Sequence, residues 1–533
     1  MSAAEISAGV RAQTHLSSER CLRVFARRAR RIGLLSLNAV TEELYDVALQ
    51  EAQDVDRGVQ KGSGASPERS LLGVPMSIKD SMVQRGAMPT CGLACRAARG
   101  PALADGLVVS LVRGAGAVPF VRGNVPQGLM LPESYNWVFG RTDNPWDRRR
   151  TPGGSSGGEG SLVASRCAPV ALGSDVGGSI RIPSHFSGTV GFKPTPERIT
   201  QMGMAVPRKG DKNGQRVIRS VVGPLANSVQ DCELVMQALC RSTMWEKDPS
   251  VPKMPWDAAA ARDGPGRPLK VGVMHTDGWF DPCTAVVRAV EEAAQALRAA
   301  GHHVTSFEPP TSGWEVARLY YGQMGADGNM SSIVEALEGE ALLPEYASLK
   351  AITDIPNVLR PALAWGLRLA GEKRRASMLR ATRSGGLPTK AYWGLVADTM
   401  DMRRVWMDKV ASAGLDALLL PPAALPALPH GTSRELTPAF TYTFVGNLLS
   451  WPAGVVPVTR VLEEEQAYRW DDLPVAQRDS MARRSRQVMQ GAAGLPIGVQ
   501  VMGLPFRDEE TMHVMREVER TVAFTAVPPV AGL

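Results

Sequence analysis

Short apolar runs recur along this chain between longer amphipathic stretches. Residues 71–78, 118–121, 269–274, 304–307, 417–420, 454–459 and 497–502 are each four to eight residues long, the length and polarity expected of buried strands. Helical periodicity lies between them. Val108, Leu111, Val112 and Ala115 follow a capping Asp105, and Val286, Val290, Ala293 and Leu297 share one face between Asp281-Pro282 and the terminating Gly301. A further helix is predicted over 229–239, and residues 18–56 read as helices. Such alternation predicts an α/β protein built on a large sheet with helices over both faces. Residues 246–268, with five prolines, read as a linker. We expect an N-terminal helical segment over 1–60 and one large domain over 61–533.

The most unusual stretch is 151–181, TPGGSSGGEGSLVASRCAPVALGSDVGGSIR, in which two glycine-serine loops flank a short helix-and-strand pattern. Three readings compete. A phosphate cradle would need the lysine and Ser/Thr that complete a P-loop, and neither loop has them. A plain pair of loops is the second reading. The third is a serine nucleophile with an oxyanion hole, because glycines let backbone amides approach a ligand. Ser155 fits the G-x-S-x-G elbow of α/β-hydrolases, but that elbow follows a strand, and residues 144–152 before it read as a loop.

A serine nucleophile needs a base. His185 is the histidine nearest Ser179, though a lone histidine so placed is more often structural. The alternative is a lysine kept neutral by desolvation. Lys79, at the end of the apolar run 71–78, is the residue that fits.

Composition removes some possibilities. The chain has 533 residues, 44% hydrophobic and 21% charged, an ordinary globular balance that excludes disorder as a whole. A net charge of +7 permits contact with nucleic acid or an anionic membrane. No RNA-binding motif accompanies it, so no nucleic-acid partner is expected. Seven scattered cysteines do not suggest a disulfide framework, and Cys91 and Cys95 lack the second pair of a zinc site. No signal peptide and no bilayer-spanning apolar run are visible. The arginines between Arg20 and Arg31 resemble a transit peptide, but Glu5 and Glu19 argue against one. An intracellular protein, cytoplasmic or peripheral on an intracellular membrane, is the expectation.

Three motifs carry a resemblance. Leu72-Gly73-Val74-Pro75-Met76-Ser77-Ile78-Lys79-Asp80, Pro152-Gly153-Gly154-Ser155-Ser156-Gly157-Gly158-Glu159 and Gly177-Gly178-Ser179-Ile180-Arg181 resemble the amidase signature family. Asn124-Val125-Pro126-Gln127 and Pro452-Ala453-Gly454-Val455-Val456-Pro457-Val458-Thr459 are most similar to its fatty-acid amide hydrolase branch. The resemblance implies a single large domain with a central mixed, twisted sheet. It also implies a triad of Ser179 as nucleophile, Ser155 as bridging serine and Lys79 as base, with a cis Gly154–Ser155 peptide. Val176, Gly177, Gly178 and Ser179 would form the oxyanion hole. Leu129 and Met130, with Ser155, would contact substrate.

No metal or organic cofactor is implied. The implied substrate is a small lipid amide, an N-acylethanolamine or primary fatty amide, cleaved to fatty acid and amine. Residues 355–383, basic and amphipathic, would make peripheral membrane contact, and a homodimer is compatible with the sequence. A broad aryl or peptide amidase remains an alternative. So do the A subunit of a tRNA-dependent glutamyl amidotransferase and an inert protein on the same fold, the last disfavoured by the intact triad.

Overall fold

The apolar runs pair with one another. The computed structural model describes residues 1–62, 66, 68–208, 210, 214–328, 330–468 and 473–532. Its strands are β1 (Val40–Glu43), β2 (Pro75–Lys79), β3 (Val118–Gly123), β4 (Tyr135–Asn136), β5 (Gly140–Arg141), β6 (Val170–Asp175), β7 (Val190–Lys193), β8 (Val221–Ala226), β9 (Lys270–Val273), β10 (His303–Ser306), β11 (Ala417–Leu420), β12 (Ala453–Arg460) and β13 (Pro496–Gly503). β4 and β5 form a small ribbon, and the other eleven make one sheet in the order β1-β3-β2-β6-β8-β7-β12-β13-β11-β9-β10. The sheet is mixed, as expected, and helices cover both faces. β2, β3, β6, β7, β8, β11 and β13 are buried along their full length, as expected of strands in a sheet covered on both faces.

β2 runs parallel to both β3 and β6. Their carboxyl ends therefore meet at one edge of the sheet, where Lys79 closes β2 and Asp175 closes β6. That edge is where open α/β sheets characteristically bind ligands. The helix Gly157–Ala164 precedes β6 and the helix Arg181–Ser187 follows it. The two glycine-serine loops lead directly into these helices.

The structure differs from the sequence reading at three places. Within 18–56, helices span Ser18–Arg28 and Tyr45–Gln60, but Val40–Glu43 is a strand paired antiparallel to β3. Its four residues, only Val40 of them buried, are too short and too polar to show a period. The proline-rich stretch 246–268 contains the helix Ala258–Asp263, capped by Asp257, which packs on the helix Asp508–Val522.

The third concerns residues 355–383, which form the paired helices Arg360–Leu369 and Lys373–Ala381. Val358, Leu359, Leu363, Trp365 and Leu369 are exposed. Arg360 and Arg374, however, point inward. Arg360 donates to the carbonyls of Ile352, Thr353, Ile355, Leu379 and Thr382, while Arg374 pairs with the buried Asp479. Helical periodicity cannot distinguish an arginine that caps a neighbouring helix from one that faces solvent. The basic surface of this segment is accordingly smaller than the sequence suggests. Among the described residues no helix is long and apolar enough to cross a membrane.

Candidate active site

Lys79 is fully buried, and everything it touches is neutral. Its Nζ lies 2.8 Å from Ser155 Oγ, 2.9 Å from Ser156 Oγ, 3.0 Å from Ser174 Oγ and 3.4 Å from the Ser174 carbonyl. Burial is the largest influence on the amine and lowers its pKa to about 8, against the opposing pull of Glu159 and Asp175. The cause is the ordinary one. A buried ammonium loses its hydration, and hydroxyl groups replace only part of it.

The first loop places Ser155 beside this amine. The Gly154–Ser155 peptide is cis, as the resemblance implies. Ser134 Oγ donates to the Gly153 carbonyl and accepts from the Gly157 amide, and the carbonyls of Leu131 and Glu133 back directly onto Gly154. The Ser156 amide donates 3.1 Å to the Ser179 carbonyl, joining the first loop to the second.

The second loop is held by one buried ion pair. Arg181 Nη2 and Nε donate to the Asp175 carboxylate at 2.9 and 3.0 Å, with both side chains fully buried. Asn447 Nδ2 donates to the same carboxylate at 3.0 Å. Arg181 also donates to Asn447 Oδ1, Gln500 Oε1 and the Thr443 carbonyl. Burial alone would raise the Asp175 carboxyl, but Arg181, helped by Lys193 and Asn447, outweighs it and holds the group well below the usual carboxylate range. The carboxylate in turn accepts the amides of Gly178 at 2.8 Å and Ile180 at 3.2 Å. Gly178 has φ +115°, a conformation that favours glycine.

Of the four amides expected at the oxyanion, that of Gly178 is committed to Asp175. The amides of Val176, Gly177 and Ser179 have no acceptor among the described residues. Thr443 Oγ1 donates to the Gly177 carbonyl at 2.9 Å, and the Tyr320 hydroxyl lies 3.5 Å from the Val176 carbonyl. Both peptides are thereby oriented from the carbonyl side.

Other sequence candidates divide. His185 is fully buried with both ring nitrogens engaged: Gly498 N–H donates to Nδ1 and Nε2 faces the Leu425 carbonyl, each at 3.1 Å. Burial lowers its pKa to about 4. It is a structural, neutral imidazole. Leu129 and Met130 are half-buried in the loop that reaches the back of Gly154. Leu129 packs among Cys91, Leu93, Ala336 and Leu337, and Met130 beside Leu343 and Tyr346. Ser156, Ser174, Thr443 and Tyr320 were not singled out from sequence. Ser156 had a signal, since it adjoins Ser155. Ser174, between Gly173 and Asp175 near the end of β6, had none.

With this geometry established, similarity to known proteins can be judged. The amidase family pattern matches residues 22–512. The chain belongs to the amidase family. Fatty-acid amide hydrolase 1 of Sus scrofa is 36% identical over 491 residues, covering 91% of this chain and 80% of that protein. The Caenorhabditis elegans protein fatty acid amide hydrolase 1 is 32% identical over 489 residues, 91% of this chain and 82% of its own. A solved fatty acid amide hydrolase superposes with a TM-score of 0.83 at 24% identity, covering 98% of this chain and 85% of that one. The peptide amidase of Stenotrophomonas maltophilia gives 0.70 at 22%, covering 99% and 98%. These superpositions share the fold. Family membership makes the chain an amide hydrolase of the amidase-signature type.

Gly177 supplies a direct check of the second loop. A Cβ there would overlap the Tyr320 hydroxyl, whose ring is stacked on Phe444 at 4.0 Å and has little room to retreat. Gly177→Ala is expected to lower amide turnover by about 10²-fold, the scale of losing an oxyanion donor, while far-ultraviolet circular dichroism stays unchanged. Turnover within a factor of about three of wild type would show that amide hydrolysis does not depend on the placement of this loop.

Proposed function

We propose that the chain hydrolyses fatty-acid amides, N-acylethanolamines and primary fatty amides, through a Ser179 acyl-enzyme. The observation that carries the chemistry is the 2.8 Å contact of a buried, pKa-lowered Lys79 with Ser155. Neutral Lys79 takes the Ser155 proton as Ser155 takes that of Ser179, and Ser179 Oγ attacks the amide carbonyl. The amides of Val176, Gly177 and Ser179 are the available donors to the oxyanion. The proton then returns through Ser155 to the leaving nitrogen, without which an amine leaves poorly. Water completes the cycle by the same route, releasing the acid. No step needs a metal or organic cofactor.

Two observations support the lipid substrate. The relatives in Sus scrofa and Caenorhabditis elegans carry the name fatty acid amide hydrolase. Val358, Leu359, Leu363, Trp365 and Leu369 form an exposed apolar surface on and beside one helix, with Arg368 and Lys373 nearby. A surface of that kind suits peripheral attachment to an anionic bilayer, from which a long-chain amide would enter.

Labelling tests the nucleophile. A fluorophosphonate probe is expected to leave one adduct by intact mass, absent in Ser179→Ala. Its rate should rise with pH and level above about 8, because only neutral Lys79 accepts a proton and its neutral fraction grows through that value. Labelling of Ser155 with Ser179 spared, or a rate that levels near pH 4 where His185 titrates, would overturn the assignment.

A series of amides from short to long acyl chains, assayed with and without phosphatidylserine vesicles, tests the substrate. Long chains are expected to be preferred. Co-sedimentation should fall by at least about fivefold in Val358→Ser, Trp365→Ser, Leu369→Ser, since each buried methylene contributes about 0.8 kcal/mol. Arg374 is left intact because it holds the fold. Preference for short or aryl amides, with no vesicle binding at low salt, would favour the broad amidase.

A further inference from the structure

Lys79 poses an electrostatic problem that its hydroxyl neighbours do not solve. A base must be neutral before it accepts a proton and charged afterwards, and the charged form here would stand fully buried among Ser155, Ser156 and Ser174. An uncompensated buried ammonium is costly enough to stall the transfer. A carboxylate is available on the helix that follows the first loop.

We propose that Glu159 is a positioning residue that supplies the counter-charge to the lysinium formed when Lys79 accepts the Ser155 proton. Glu159 stands on the first turn of the helix Gly157–Ala164, four residues after Ser155, and is fully buried. Its Oε1 lies 3.5 Å from Ser77 Oγ. Ser77 and Lys79 are two residues apart on β2 and so share one face of the sheet. The carboxylate is thus set on the face from which the lysine rises. β3 makes room for it, because a Cβ on Gly123 would overlap the Glu159 carboxylate. Its Oε2 has no hydrogen-bond partner among the described residues. A buried carboxylate oxygen left unpaired is expensive unless a nearby charge compensates it.

The other charges around Lys79 are committed elsewhere. Asp175, at the end of β6, is bound by Arg181 and Asn447. Asp80, the next residue on the chain, accepts from Thr90 Oγ1 and the Cys91 amide. Arg122 of β3 donates to the carbonyls of Asp80 and Met82 and lies 3.8 Å from Glu42 of β1. Arg122 and Asp80 also act on Glu159, and the Cys91 thiol on Lys79. Burial raises the Glu159 carboxyl, and Lys79 is the strongest influence holding it down. Among the described residues Lys79 forms no ion pair with the carboxylate, its nitrogen being turned to the three serine hydroxyls. The amine therefore stays free to exchange a proton with Ser155 and is not fixed in a salt bridge.

The inference rests on Lys79 as base, and the test separates the two. Glu159→Gln and Glu159→Asp are made in the full chain, and kcat is measured from pH 6 to 10.5 on an amide and on an ester with the same acyl group. Removing the negative charge disfavours the lysinium. The amide inflection in Glu159→Gln should move down by about one pH unit, with amide kcat above the inflection reduced about tenfold and ester kcat by much less. Glu159→Asp should recover most of both. An inflection in the Gln variant that overlays wild type, whatever the loss of rate, would make Glu159 a packing residue only. Should the Gln variant not fold, Glu159→Met, uncharged and of similar length, carries the decision: an inflection displaced downward supports the inference, and an unshifted profile overturns it. Loss of the base reading itself shows differently, as amide turnover retained in Lys79→Ala.

Discussion

The structure turns on one buried amine. Lys79 closes a strand enclosed by the sheet, and three serine hydroxyls stand within 3.0 Å of its nitrogen. Removing a lysine from water costs more than those hydroxyls return, so its proton is held loosely. In water the same side chain would be nearly always protonated at neutral pH. Burial converts a surface cation into a base. Two of the hydroxyls come from the first glycine-serine loop and the third from β6, which runs parallel to β2, and for that reason the large sheet is needed. Only a fixed β2–β6 register brings Lys79 and Ser174 to one point.

Fixing the second loop takes a separate device. The Asp175–Arg181 pair would be a poor contributor to stability if it were judged by burial alone, because both charges are desolvated. Its value lies in the number of groups it orders. One carboxylate holds the Gly178 and Ile180 amides, and one guanidinium reaches Thr443, Asn447 and Gln500. The turn between them leaves the Val176, Gly177 and Ser179 amides without an acceptor among the described residues. An oxyanion site must be set before charge develops, since donors that have to reorganise give up much of the gain.

Much of this was legible in the sequence, for identifiable reasons. The central strands are short and mostly apolar, so their runs stand out, and residues 417–420 match β11 residue for residue. Lys79 and the two glycine-serine loops stand out because their residue types are improbable in plain structural roles. What was not legible depends on partners distant in sequence. β1 pairs through its backbone with a strand about 80 residues on, which one valine followed by three polar residues does not announce. Gly178 is equal to Gly177 in the sequence and differs only in where its N–H points. Arg374 looks like any surface arginine until Asp479, over 100 residues later, is placed beside it. Ser174 becomes notable only once the β2–β6 register is known.

The account stands or falls on Lys79 as the proton carrier for amide cleavage. The most direct measurement is the kcat of Lys79→Ala on an amide and an ester that share an acyl group, in protein shown to be folded. An ester's leaving group departs without prior protonation, whereas an amine does not. Amide turnover should therefore fall by about 10³-fold or more, within the span attributed to general acid–base catalysis, and ester turnover by at least tenfold less. Equal losses on both substrates, or amide hydrolysis preserved without the lysine, would contradict the account.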